Sequence, residues 1–140
     1  MVAKAYLDEL AKVPLFSSCS KKELQRISRA ADEITIDAGR TFVDQDATGH
    51  EAFVIVSGEA AVRRNGRRVA TLGPGDPIGE LALLDGGPRT ATVQAVTDLT
   101  VLVIAQREFA ALIDDVPAIA HKLLAALAGR VRALDKHVYP

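Results

Sequence analysis

Apolar positions change their spacing twice along this chain, and the changes divide it into three stretches. Residues 1–31 carry helical spacing. A first helix is predicted over residues 3–13. A second opens at Ser20-Lys21-Lys22-Glu23, where a serine followed three residues later by a glutamate forms a capping box ahead of the apolar stripe Leu24, Ile27, Ala31. Residues 32–105 switch to short apolar runs: Ile34 with Ile36, Phe42 with Val43, then residues 53–56, 60–62, 69–72, 91–96 and 99–104. These read as strands. Residues 106–138 revert to helix, with a short one over 107–114 and a longer one from Pro117 to about residue 137. On that last helix Ile119, Leu123, Leu127, Val131 and Leu134 recur at three- and four-residue steps and make one apolar face.

Turn signals separate the strands: Ala38-Gly39, Thr48-Gly49, Ser57-Gly58, Asn65-Gly66, Gly73-Pro74-Gly75-Asp76 and Gly86-Gly87-Pro88. Asn65-Gly66 is the sharpest of them, because a type I′ turn needs positive φ at both central positions. Many short strands at even spacing predict a mainly β fold, a jelly-roll barrel or sandwich with helices at both ends. No linker or repeat interrupts the pattern, so residues 1–140 read as a single domain.

Composition narrows the function. The chain has 17 basic and 18 acidic residues spread along its length, so no global field attracts a polyanion. The single cysteine, Cys19, excludes an internal disulfide and favours a reducing compartment. Lys4, Asp8 and Glu9 interrupt the N-terminus where a secretory signal needs an apolar core, and the longest apolar run, residues 101–105, is too short to span a bilayer. A cytoplasmic location and no membrane span are expected. His50, His121 and His137 are scattered, so neither a cupin-type metal enzyme nor a placed nucleophile is indicated, and no catalytic residue or metal ligand is assigned.

The chemistry concentrates in residues 75–92, Gly-Asp-Pro-Ile-Gly-Glu-Leu-Ala-Leu-Leu-Asp-Gly-Gly-Pro-Arg-Thr-Ala-Thr. Its glycines allow close backbone approach, and residues 80–84 have the length of one helical turn whose free N–H groups suit an anion. Arg89 offers a planar fork of donors for two phosphate oxygens, and Glu80 offers a carboxylate for a sugar hydroxyl. The same residues could instead make a turn with a surface ion pair.

Gly79-Glu80-Leu81-Ala82-Leu83 followed by Pro88-Arg89-Thr90-Ala91-Thr92-Val93 resembles the phosphate-binding cassette of cyclic-nucleotide-binding domains, found in bacterial catabolite activators, protein kinase regulatory subunits and cyclic-nucleotide-gated channels. The likeness extends over nearly the whole chain, with the cassette at residues 79–92. It implies that Arg89 pairs with the cyclic phosphate, Glu80 accepts from the ribose 2′-hydroxyl, and Gly79 lies against the ribose. Backbone N–H groups near Leu81, Ala82 and Ala91 complete the phosphate cage. Val62, Leu72 and Val93 are the expected apolar base contacts. Thr90 is compatible with cyclic AMP, the favoured ligand, and keeps cyclic GMP open. One departure is Ile78, after Pro77, where the family commonly has an aromatic residue; both polar anchors are kept.

The resemblance further implies a sensor without enzymatic activity or cofactor, whose terminal helix closes over the base through Leu127, Val131, Arg132 and Leu134. Arg130, His137 and Tyr139 fall in the stretch where relatives place a capping group. Output is expected through another protein chain, or through a homodimer on the terminal helix, with no direct DNA binding. A scaffold of the same fold that has lost its ligand is the alternative.

Overall fold

The computed structural model describes residues 4–79 and 86–138. Helix α1 (Lys4–Ala11) is followed by a 3-10 turn, Pro14–Phe16, and by α2 (Lys21–Ala30). Eight strands follow: β1 (Asp32–Ile36), β2 (Thr41–Val43), β3 (Glu51–Ser57), β4 (Ala60–Arg64), β5 (Arg67–Leu72), β6 (Pro77–Ile78), β7 (Thr92–Ala95) and β8 (Leu99–Ala105). The chain continues in α3 (Gln106–Asp115) and α4 (Pro117–Val138).

The strands form two antiparallel sheets, ordered β1-β8-β3-β6 and β2-β7-β4-β5. The jelly-roll expectation therefore resolves to a sandwich; among the described residues the two sheets do not close into a barrel. Strand alternation explains how one sheet serves two cores. From β3 and β8, Ala52, Val54, Leu102 and Ile104 face a helix-covered core with Leu10, Phe16, Ile27, Leu112 and Ile119. The alternate residues Phe53, Ile55, Leu99 and Val101 face the inside of the sandwich with Ile36, Ala60, Ile78 and Val93.

The local signals act as their chemistry dictates. Ser20 Oγ accepts from Glu23 N–H at 3.2 Å and Glu23 Oε1 accepts from Ser20 N–H at 2.7 Å, which closes the capping box of α2. Asn65 (φ 53°) and Gly66 (φ 80°) make the hairpin turn between β4 and β5, with Arg64 directly opposite Arg67. Two elements depart from the sequence expectation. The first helix stops at Ala11, and Val13 instead enters the 3-10 turn, whose Leu15 and Phe16 are buried. Pro77–Ile78 pairs with Phe53 and Val54 as a short strand that no periodicity of two residues can announce.

The edge most relevant to function is that β4–β5 ribbon. Val62 pairs with Ala70 and Arg63 with Arg68, so Val69 has no partner across the ladder and forms a bulge. Gln45 fastens the turn from outside: its Nε2 donates to Asn65 Oδ1 at 2.9 Å, and its Oε1 accepts from Asn65 N–H at 2.8 Å.

Candidate functional site

Arg89 is 7% exposed, the charged side chain among the described residues that is buried. The backbone holds it from both sides. Its N–H donates to Ala47 O at 2.9 Å, its carbonyl accepts from Asp46 N–H at 2.8 Å, and Thr48 bridges Pro88 next door. The guanidinium donates through Nη2 to Glu51 O at 2.7 Å and through Nη1 to Gly79 O at 3.2 Å. Those carbonyls lie at the start of β3 and just past β6, so the first sheet aims a side chain that the cassette supplies.

Two glycines make the slot for this fork. A Cβ on Gly49 would lie 2.5 Å from Arg89 Nε and 2.6 Å from Cζ, and a Cβ on Gly79 would overlap Arg89 Nη1. Gly79 also has φ +80°, a conformation that side chains disfavour. Gly79 was expected at the site; Gly49, forty residues before the arginine, was not. Its only sequence signal was a turn, and the contact that requires glycine exists only in the folded chain.

Arg89 and Gly79 lie in the wall of a cavity of about 410 Å³, a size ordinary for small-ligand sites. Of the expected contacts, Val62, Leu72, Thr90, Ala91 and Val93 line it as well. Ala91 and Val93 are buried, Val62 and Leu72 partly so, and Thr90 is exposed. Glu80, Leu81 and Ala82, and the helical turn expected at residues 80–84, lie outside the described residues. From the terminal helix, Leu134 reaches the cavity wall. Leu127, Val131 and Arg132 do not line it: Leu127 is half-buried, and Val131 and Arg132 are exposed. Tyr139 and the side chains of Arg130 and His137 lie outside what the structure describes.

The cavity also has walls that the sequence reading passed over: Val43, Arg64, Val69, Ala70, Pro77 and Ile78. Alternation could have found two of them, because Arg64 follows Val62 by two residues and Ala70 precedes Leu72 by two. Val69 has no such signal; it stands in the bulge beside Ala70 and borders the cavity while staying largely exposed. Arg64 Nε donates to Thr90 O at 3.2 Å, which joins the ribbon to the cassette. Gln45 N–H donates to Thr92 Oγ1 at 3.0 Å and adds a second tie.

The rest of the molecule offers little competing chemistry. Among the described residues no cluster of three or more His, Cys, Asp or Glu could hold a metal ion, and no helix is long and apolar enough to cross a membrane. Burial, followed by the nearby Glu23 carboxylate, pushes the Cys19 thiol up from its usual range, which keeps it in the neutral form. An aliphatic Ile78 fills the position where an aromatic residue was noted as usual; it is 4% exposed and packs in the sandwich core.

Comparison with known proteins agrees with this geometry. The family described as the cyclic nucleotide-binding domain matches residues 33–116, more than half of the chain. A Pycsar effector protein, XpPycTIR, from Xanthomonas perforans is 33% identical over 114 residues, covering 80% of this chain and 38% of its own. The cAMP-dependent protein kinase regulatory subunit of Schizosaccharomyces pombe is 41% identical over 95 residues, covering 67% and 23%. The crystal structure of Thermus thermophilus catabolite activator protein superposes with a TM-score of 0.83 at 32% identity, covering 89% of this chain and 61% of that one. The chain thus spans less than two thirds of the length of each of these relatives.

Proposed function

The chain belongs to the cyclic nucleotide-binding domain family, and from that premise we propose that it is a sensor module for a cyclic purine nucleotide. Cyclic AMP is the first ligand to test and cyclic GMP the second. The observation that carries the reading is Arg89: a guanidinium 7% exposed, gripped by two carbonyls and two glycine faces, in the wall of a cavity of nucleotide size. A permanent cation held so rigidly suits a phosphate monoanion, because its donors need no reorganisation when the ligand arrives. The relative from Schizosaccharomyces pombe is by name the regulatory subunit of a cAMP-dependent protein kinase, which supports the choice of cyclic AMP.

In this proposal Arg89 holds the cyclic phosphate with N–H groups of Leu81, Ala82 and Ala91, and Glu80 accepts from the ribose hydroxyl beside Gly79. Val62, Leu72 and Val93 cover the base, and Thr90 admits either purine. The protein performs no chemistry on the ligand and needs no cofactor. Occupancy biases α4, through Leu134 and with Leu127, Val131 and Arg132 following, toward a closed position. Only a difference in affinity between open and closed forms can drive that shift. The output is a second protein chain, or a second copy joined along α4, within the cytoplasm.

Calorimetric titration with cyclic AMP and cyclic GMP tests the reading on the native chain and on Arg89→Ala. We expect native binding, with Arg89→Ala weaker by about 2–5 kcal/mol, the cost of losing a buried charge-assisted contact. Circular dichroism shows whether the variant is folded. A folded Arg89→Ala that binds as tightly as the native chain refutes the phosphate assignment. Absence of binding by the native chain at millimolar ligand leaves a scaffold of this fold as the better reading.

A further inference from the structure

Backbone pairing stops at the outer strand of a sheet, and an uncovered outer strand can take up a further one. In this sandwich β6 and β2 are short outer strands, of 2 and 3 residues, whereas β1 and β5 are long ones, of 5 and 6. Both long strands are exposed along most of their length, β1 from Asp32 to Thr35 and β5 from Arg67 to Thr71. Their charges are opposite in sign. Strand β1 opens with Asp32 and Glu33 and β5 with Arg67 and Arg68, and among the described residues none of the four has a salt-bridge partner. Nor does the strand alongside compensate them: Asp32 and Glu33 lie opposite Val103 and Leu102 of β8, and Arg67 and Arg68 lie opposite Arg64 and Arg63 of β4. Like charges directly opposite one another destabilise a ribbon, so acidic neighbours on the outer side of β5 would relieve it.

Laid side by side in the same direction, the two strands match position by position. Asp32 meets Arg67, Glu33 meets Arg68, and Ile34 meets Val69, two apolar side chains that are 39% and 53% exposed. The reverse direction sets both acids against the uncharged end of β5 and loses the match. We propose that β1 of one molecule pairs in parallel with β5 of another, so that copies of this chain associate head to tail through their outer strands. Because the two surfaces differ, each contact leaves one β1 and one β5 at the ends of the pair, and further copies can add. The bulge at Val69 interrupts the ladder, so the charges rather than a long run of backbone pairing carry the contact. The association needs no nucleotide, and it is separate from a dimer joined along α4.

Sedimentation velocity of the native chain without nucleotide tests this over a range of protein and salt concentrations. At about 0.05 M salt the average mass is expected to rise past that of a dimer as protein concentration increases, and to fall back at about 0.5 M, where exposed charges are screened. Two double reversals localise the contact: Asp32→Arg with Glu33→Arg on β1, and Arg67→Glu with Arg68→Glu on β5. None of these side chains lines the nucleotide cavity, and circular dichroism shows that each variant is folded. Either double reversal alone gives both outer strands the same sign and is expected to abolish the growth past a dimer. A chain carrying all four reversals restores opposite signs at the native net charge and is expected to associate like the native chain. Three results overturn the inference: a native chain that stays monomeric at low salt, a dimer that neither salt nor either double reversal changes, which is the α4 contact, or a fourfold variant that fails to regain association.

Discussion

The β3–β8 pair and the β4–β5 ribbon are both antiparallel, yet they bury their side chains in opposite ways. In β3 four consecutive residues, Ala52, Phe53, Val54 and Ile55, are buried, because helices cover one face and the second sheet covers the other. In β4 burial runs out along the strand, from Ala60 and Ala61 to an exposed Arg64, and β5 is exposed from Arg67 to Thr71. The first pair spends its apolar surface on packing. The ribbon leaves its inner face toward a cavity that no core side chain fills. A site has to be built where packing stops, and local stability is lowest in such regions.

The largest expected effect breaks the comparison on the packed side. Ile55 is fully buried between the sheets, and its backbone also carries hydrogen bonds to Asp76 and Gly75. Ile55→Ala should cost about 2–5 kcal/mol in unfolding free energy, the range for large-to-small changes in cores. Val69, 53% exposed on the ribbon, should lose less than about 0.5 kcal/mol on the same truncation. Denaturant titration of the two variants decides the matter. Comparable losses would mean that the ribbon is as well packed as β3.

The middle effect lies where the two regions meet, at the slot for Arg89. Gly49→Ala places a Cβ 2.5 Å from Arg89 Nε, so the guanidinium must move off the Glu51 and Gly79 carbonyls. The expected cost is about 1–3 kcal/mol of stability, as for other overpacked sites, together with weaker nucleotide binding. Gly73→Ala is the control, since nothing lies within 4 Å of the Cβ it would add. If both variants bind ligand like the native chain, the glycine slot does not position the fork.

These contrasts also explain what was readable beforehand. Strands β3 and β8 announce themselves as unbroken apolar runs, and the capping box at Ser20 and the turn at Asn65-Gly66 are local chemistry that tertiary context leaves intact. Arg89 was legible through its motif. Its partners were not, because Glu51 and Gly79 offer backbone carbonyls, and a carbonyl has no sequence identity. Gly49 and Val69 were missed for a related reason: one is selected by a contact across forty residues and the other by a bulge. Arg64 was missed although strand alternation from Val62 pointed to it. A charged residue beside a turn reads as solvated surface until the cavity is seen.

The smallest effect separates stability from function along α4. The apolar face read from its sequence divides in the fold: Ile119 and Leu123 are buried in the helix-covered core, whereas Val131 and Leu134 are 57% and 65% exposed. Leu124 is exposed to nearly the same degree as Leu134, at 64%, but only Leu134 of the two lines the cavity. Leu134→Ser and Leu124→Ser therefore incur the same small loss of helix propensity, about 0.5 kcal/mol or less. Their effects on ligand should differ. If α4 closes over the base, Leu134→Ser removes apolar area that the bound state buries and weakens binding by about threefold, mainly through faster release. Leu124→Ser should leave binding unchanged. Stopped-flow release of a fluorescent cyclic nucleotide measures both. Equal release rates would mean that the contact of α4 with the cavity is incidental and that the helix does not act as the lid.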